Sequence, residues 1–336
     1  MRHHLMACVA AFAGLAVVPA CADPIADFYK GKTVNMLIGV SAGGEYDLHA
    51  RLIARYIGRH IPGNPTLVPQ NMLGAGGIVM ANYLYGIAPR DGTYMAVIQN
   101  GHPTIQAVGM ANIQYDAAKF NWIGAITPTV ETMALWRTAG VRSIEEARRQ
   151  EVVIGSVGRA NITFTFPQML NEFAGTKFKI VSGYRGGSEI NLAMERGEVA
   201  GRNNTWSSWK VTKPDWLKNN DISIIAYAGP QPKDLKGVPS LEDLARTDDD
   251  RKVIRLIIAG TRLGRPIAAT PGIPAERVKA LRDAFQAVMK DTDFIKEAEG
   301  ARIDIDPVSG EELQKVVEDV LATPANLRER AKPFLD

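Results

Sequence analysis

An α/β fold built from two globular units with largely parallel sheets is predicted by three features of the sequence. The first is the stretch Val34 to Asp47, where Val34, Met36, Leu37, Ile38 and Val40 form a short apolar run. Such a run is the signature of a strand buried on both faces. Ser41-Ala42-Gly43-Gly44 breaks it, and from Asp47 to about His60 the residues Leu48, Leu52, Ile53, Tyr56 and Ile57 recur at helical spacing. The second feature is the same alternation of strand and helix patterns along the rest of the chain, which argues for parallel sheets. The third is a repeat of the Gly-rich strand end in the second half, Gly155-Ser156-Val157-Gly158.

The elements follow in order. Thr66 to Val68 reads as a strand after the loop Ile61-Pro62-Gly63-Asn64-Pro65, and Gly74-Ala75-Gly76-Gly77 opens a helix through Tyr85. Tyr94 to Gln99 is a strand that ends at Asn100-Gly101-His102-Pro103, and Trp122 to Ile126 is extended and leads into a new region. Ser143 with Glu146 forms a capping box before a short charged helix. Val152 to Ile154 is a strand, Phe164 to Phe173 a helix, and Lys179 to Val181 a strand ending in Gly183-Tyr184-Arg185-Gly186-Gly187. A helix over 190–196 stops at Gly197, Ile222 to Ala226 is a strand, and Ile254 to Ala259 is read as a return strand. Val278, Leu281, Phe285, Val288 and Met289 give an amphipathic helix after Pro274, and Ser309 with Glu312 caps the last strong one.

The first residues read as a processing signal. Arg2 supplies a positive start, Leu5 to Val18 is apolar but too short to span a bilayer, and Ala20-Cys21-Ala22 is an A-x-A cleavage site. Cutting after Ala22 sends a chain of 314 of the 336 residues to the periplasm, beginning at Asp23. Val18-Pro19-Ala20-Cys21 is also lipobox-like, which gives the alternative of a lipid anchor at Cys21. Cys8 and Cys21 both lie in this leader, so the mature chain has no thiol nucleophile, disulfide or Cys-based metal site. Of 39 basic residues one, Arg2, is in the leader, leaving 38 against 36 acidic. That balance argues against nucleic acid, which wants a basic stripe.

Strand C-terminal ends are where open α/β sheets bind ligands, and a helix start offers unpaired N–H groups to an anion. Ser41, Ala42, Gly43, Gly44 and Asp47 form one such candidate, and Ser156, Gly158, Asn161 and Thr163 the other. Neither is a P-loop, because no Gly-Lys-Ser/Thr follows. Gly alone also fits a plain turn, with Asp47 capping its helix. Gly74 to Gly77 lacks dinucleotide spacing and reads as close helix packing. The mature chain keeps only His49, His60 and His102. No His-Glu-x-x-His exists, and Ser156 is not in a G-x-S-x-G elbow. His49 and His60 read as satisfied surface or helix histidines, and His102, with Asn100, as lining a cleft at a strand end. Arg159, Arg185 and Arg202 sit on or near second-half loops, where guanidinium suits carboxylate recognition. Tyr184, Gly187 and Asn203 complete the candidates, with Trp206 and Trp209 as either core or cleft wall.

Taken in order, the motifs resemble a known family. They are S-A-G-G-x-x-D-x-x-A-R (Ser41 to Arg51), Q-N-M-x-G-A-G-G (Gln70 to Gly77), A-P-x-D-G-T (Ala88 to Thr93) and N-W-I-G (Asn121 to Gly124). G-S-x-G (Gly155 to Gly158), Y-x-G-G (Tyr184 to Gly187) and R-G-E-V (Arg196 to Val199) follow. The set is similar to the Bug-type substrate-binding proteins of tripartite tricarboxylate transporters. That resemblance implies a type II periplasmic binding protein with two α/β lobes and the ligand in the cleft between them. It also implies that the loops Ser41 to Asp47 and Gly155 to Thr163 hold a carboxylate through backbone and small polar groups. Arg159, Ala160 and Phe164 depart from the family's usual pattern and bear on the ligand.

The expectation is therefore a non-enzymatic receptor that binds a small organic carboxylate and delivers it to membrane transporter subunits. The carboxylate classes open to it are di- or tricarboxylates, aromatic acids and amino acids. The receptor is expected to be monomeric, with no cofactor, metal or nucleic acid. Lobe 1 is expected over 23–125 and 258–336, and lobe 2 over 126–257. The rival readings are a periplasmic hydrolase or transferase using Ser156 or His102, and a ligand-presenting partner of a sensor protein.

Overall fold

The computed structural model describes residues 23–335 except Ser41, Gly44, Arg159, Ala160 and Arg185. The leader, both cysteines and the expected cleavage site lie outside the described residues.

The strands assemble into two sheets. The first holds β1 (Thr33–Ile38), β2 (Thr66–Asn71), β3 (Tyr94–Val97), β4 (Asn121–Ala125), β10 (Ile267–Ala269) and β11 (Val308–Ser309), in the order β11-β4-β10-β3-β1-β2. The second holds β5 (Glu131–Trp136), β6 (Val152–Ser156), β7 (Phe178–Ser182), β8 (Gly201–Thr205) and β9 (Ile222–Ala228), in the order β7-β6-β8-β5-β9. β1 pairs in parallel with β2 and β3, and β6 with β7 and β8. The sheets are mixed rather than largely parallel. β10 runs antiparallel between β3 and β4, and β5 runs antiparallel between β8 and β9. β5 follows β4 with no helix between them, and β10 returns to the first sheet after the helix Asp248–Leu263 that follows β9 of the second, so neither strand closes a βαβ unit within its own sheet, a route that alternation along the chain does not reveal.

Val34, Met36 and Ile38 of β1 pack with Leu52, Ile53 and Ile57 of the helix Glu45–Ile57 and with Leu281 and Phe285 of the helix Ala275–Val288. Leu37, on the opposite face, packs with Met80 and Leu84 of the helix Ile78–Gly86 and with Leu313 and Val317 of the helix Gly310–Leu321. Burial on both faces is what the unbroken apolar run demanded. The second sheet is covered in the same way. Met133, Leu135 and Ile154 face Phe166 and Ile254, and Ala134 faces Ile190 and Trp209.

Ile254 to Ala259 is not a strand. It lies within the helix Asp248–Leu263, which also contains the boundary expected between residues 257 and 258. The Thr247 side chain accepts from the Asp250 N–H, and Asp248, Asp249 and Asp250 fill the first turn, where the helix dipole favours acids. The return strand is β10, a few residues on. The final helix, Ala325–Ala331, packs with the second sheet's core, where Phe334 stacks on Phe173 at 5.4 Å. At the short helix Ile144–Ala147, Ser143 accepts from the Glu146 N–H, but the Glu146 carboxylate accepts from the Arg142 N–H at 2.6 Å, so the reciprocal box is not made. At Ser309 and Glu312 it is.

Candidate functional site

The C-terminal ends of the parallel strands in both sheets carry the Gly-rich turns. In the first, Asp47 is buried and accepts the Gly43 N–H at 2.9 Å, the Arg51 Nε–H at 2.9 Å and the Asn71 Nδ2–H at 3.0 Å. The Arg51 hydrogen bond, with smaller help from Gly43 and Asn71, holds the carboxyl down to about 2. Asp47 therefore shapes the loop from within. Gly43 has φ +87°, the left-handed region, and a Cβ built there would meet nothing within 4 Å. Ser41 and Gly44 lie outside the described residues, and Ala42 is exposed in the same turn.

After β3, the Asn100 N–H donates to the Tyr46 hydroxyl at 3.1 Å and its Nδ2 to the Gly260 carbonyl at 2.9 Å. Asn100 thus ties the helix Glu45–Ile57 to Asp248–Leu263. His102 is buried and stacked on Tyr115, with Nε2 3.1 Å from the Gly76 carbonyl. Burial pushes its pKa down to about 4, so the ring is neutral at pH 7. Its Nδ1 has no partner, and neither does either end of the Gln99 amide. Gln99 lies against Gly39 and Gly77, where a Cβ on Gly77 would come 2.0 Å from Oε1.

In the second unit the hydroxyls bond to one another. Ser156 Oγ is 3.2 Å from Thr163 Oγ1 and accepts the Gly158 N–H at 3.2 Å. Thr163 Oγ1 accepts the Val157 N–H, and Asn161 caps the following helix by accepting the Thr163 N–H at 3.0 Å. No histidine is among the Ser156 partners. A Cβ at Gly158 would meet open space. Tyr184 is half-buried beside this turn, its N–H 3.4 Å from the Ser156 carbonyl. Arg159 and Arg185 lie outside the described residues.

Arg202 is buried, and its donors are used internally. They reach the Gly187 carbonyl at 2.5 Å, Asn191 Oδ1 at 2.9 Å and the Asn203 carbonyl at 2.9 Å. The guanidinium also lies 5.3 Å from the Trp209 ring centre. Burial lowers its pKa to about 10, which leaves it charged. The Asn203 amide donates to Glu131 at 3.0 Å, while its Oδ1 has no partner. Desolvation raises the Glu131 pKa against the opposing pull of Asn203, Arg265 and Arg202.

Structure thus groups Gly43 with Asp47, Ser156 with Gly158, Asn161 and Thr163, and Gly187 with Arg202 and Asn203. It adds residues that sequence reading passed over, namely Glu45, Gln99, Glu131 and Arg265, and it recasts His49. Arg265 is buried, pairs with Glu45, and lies 5.7 Å from the Tyr46 ring. His49 is also buried, and desolvation, followed by the Arg265 charge, depresses its pKa to about 3. Both line a cleft of about 780 Å³ between the helices Glu45–Ile57 and Trp206–Thr212. Trp206 is a wall of this cleft and Trp209 is core. His60 contacts Asp291 at 2.7 Å, as a satisfied helix histidine would. Among the described residues no group of three His, Cys, Asp or Glu could hold a metal ion. No helix among them is long and apolar enough to cross a membrane.

No protein-family model matches the chain. A curated relative, the "UPF0065 protein in gbd 5'region" of Cupriavidus necator, is 24% identical over 310 residues, which is 90% of this chain and 87% of the relative. Among solved structures, a TctC solute-binding protein from Polaromonas superposes with a TM-score of 0.70 at 18% identity, covering 90% of this chain and 99% of that one. An R. palustris protein, Rpa4515, solved with adipate, gives a TM-score of 0.59 at 19% identity, covering 90% and 97%. The chain has the two-lobed fold of these binding proteins along nearly its whole described length, in keeping with the resemblance its motifs carry.

Proposed function

We propose that this protein is an extracytoplasmic solute receptor that binds a small organic carboxylate between its lobes and hands it to a tripartite tricarboxylate-type membrane transporter. The observation that carries this reading is the pair of Gly-rich turns at parallel strand ends, one in each sheet, whose glycines Gly43 and Gly158 front open space. The Gly43, Val157 and Gly158 N–H groups are bonded within the turns, to Asp47, Thr163 and Ser156, so the turns are held in shape at the helix starts where an anion is favoured. The R. palustris structure solved with adipate supports a carboxylate as the ligand class.

On this reading the lobes are residues 23–125 with 258–336, and 126–257, with the helix Asp248–Leu263 running across the second junction and the helix Ala325–Ala331 leaning on the second sheet's core. The chain is exported and cut after Ala22, acts as a monomer, and is not an enzyme. A receptor needs differential affinity between open and closed lobes rather than a nucleophile. Ser156 bonded to Thr163 and His102 bonded to the Gly76 carbonyl fit that requirement better than a hydrolase.

Thermal-shift and calorimetric titration of the mature protein with adipate, malate and citrate tests it. A bound acid at about 100 times its Kd adds about 2.7 kcal/mol of stability. Recovery of that acid unchanged, together with an N-terminus at Asp23 by mass spectrometry, is expected. Chemical turnover of the acid would replace the reading with the hydrolase one.

A further inference from the structure

We propose that a buried seam of helices behind the crossing segments is a counterweight to closure: its contacts hold the two lobes apart, and loosening them closes the ligand-free protein. This rests on the two-lobe division given above but not on which ligand binds. Each sheet brings its own helices to the seam. The helix Gly310–Leu321 packs on the first sheet through Leu313 and Val317, and the helix His102–Ala107 leaves the end of β3. The helices Asp248–Leu263 and Ala325–Ala331 pack with the second sheet's core. Where the two pairs meet, Ala107, Val108 and Val320 are buried with Leu256, Leu327 and Ala331.

The crossing lies at one end of this seam. The Thr129 N–H, on the segment that leads into β5, donates to the Thr261 carbonyl at 2.8 Å, and a Cβ on Gly264 (φ +63°) would strike the Thr127 carbonyl. Thr127, Pro128 and Arg265 line the cleft, while the helix that runs back from them, Asp248–Leu263, contributes nothing to its lining. Beside the crossing the approach is close. Asn100 Nδ2 donates to the Gly260 carbonyl at 2.9 Å, and a Cβ on Gly260 would lie 3.0 Å from Asn100 Cγ. Leu256 stands farther back, about 10 Å along the helix from Leu263 at about 1.5 Å per residue. A rotation about the crossing that narrows the cleft therefore widens the seam, and widens it most at the points farthest back.

Two hydrogen bonds stand at those points. Thr104 Oγ1 donates to the Leu256 carbonyl at 3.1 Å, and both residues are 2% exposed. Arg328 donates from Nη1 to the Ala107 carbonyl at 2.9 Å, the last of a short helix and so outside its ladder. Parting the seam strips these buried groups of their partners, a cost that falls on the closed form alone. Arg328 Nε is already buried with no partner, so this guanidinium has little to fall back on. At the mouth of the cleft the pair Lys210–Asp304 pulls the other way, so the resting angle is set between two small opposing terms.

Residues 23–336 contain no cysteine, so Thr212→Cys and Glu299→Cys, at exposed positions beside the two cleft walls, take spin labels cleanly. Electron-resonance distances between the labels, measured on the full mature protein without ligand, are expected to show a long and a short population. Thr104→Val, which keeps the volume, and Arg328→Met, which keeps the apolar stem, should each raise the short-to-long ratio roughly three- to tenfold, the loss of one hydrogen bond. Thr104→Ser, which keeps the hydroxyl, should match the labelled parent. Circular dichroism establishes that each variant is folded, and if Arg328→Met is not, Thr104→Val carries the test. A ratio unchanged or lowered in folded Thr104→Val, or a single distance shared by all the proteins, would overturn the proposal. Failure of every acid to bind would instead strike the receptor reading and leave the distances standing.

Discussion

Asp47 shows how one side chain can organise a Gly-rich turn from within. Its carboxylate gathers Gly43, Arg51 and Asn71, and its pKa of about 2 lies below the ordinary value of 3.8. A depressed folded-state pKa contributes stability that is present above about pH 4 and is lost as pH falls towards 2. Asp47→Asn is expected to lower stability by about 1–3 kcal/mol near neutral pH. Urea unfolding at several pH values checks this, because the gap between variant and wild type should narrow below pH 4. Arg202 belongs to the same scale. Its loss would strand the Gly187 and Asn203 carbonyls and Asn191 Oδ1 in a buried setting. Arg202→Ala should therefore cost about 3 kcal/mol or more in chemical denaturation, with lost ligand binding as a consequence of lost structure. A fully stable Arg202→Ala protein with weakened binding would return Arg202 to the role of direct ligand contact.

At the scale of elements, capping and burial decide what apolar patterns leave open. The run Ile254 to Ala259 has strand-like composition, yet Thr247, three successive aspartates and Gly264 frame a helix around it. Helix length and end signals outweigh the strand-like run even though 256–259 are buried one after another. The box at Ser309 and Glu312 was visible in the sequence and is made reciprocally in the fold. Ser309→Ala should destabilise the protein by about 1 kcal/mol, seen as a lower urea midpoint with an unchanged slope. An unchanged midpoint would mean that tertiary packing alone holds this helix start.

Across the whole molecule, the receptor reading proposed above requires the halves to move. Lys210 spans the cleft rim to Asp304 at 3.0 Å, and Arg302 donates to the Val211 carbonyl at 3.1 Å. Asp304 is 65% exposed, so the ion pair adds little to folding, less than about 1 kcal/mol. On the receptor reading its weight falls on the balance between open and closed lobes, where small energies shift populations. Lys210→Ala is expected to leave the melting temperature nearly unchanged but to enlarge the radius of gyration in X-ray scattering, with adipate removing the difference. Superimposable scattering curves for the two proteins would show that this contact does not govern closure.

The α/β class, the strand-turn-helix units at Val34 and Gly155, and the capping box at Ser309 could be read from residue order alone. Each depends on neighbours within a few positions, and apolar period, glycine and capping chemistry are local. The antiparallel strands β5, β8, β10 and β11 could not, because each is defined by partners far along the chain. Nor could the fate of individual polar groups. Gln99, Arg265 and His49 bear no motif, and they became notable only when folding buried them without partners. Burial and hydrogen-bond satisfaction are properties of an environment assembled from distant segments, so the cleft belongs to the tertiary structure while the turns that frame its lobes belong to the sequence.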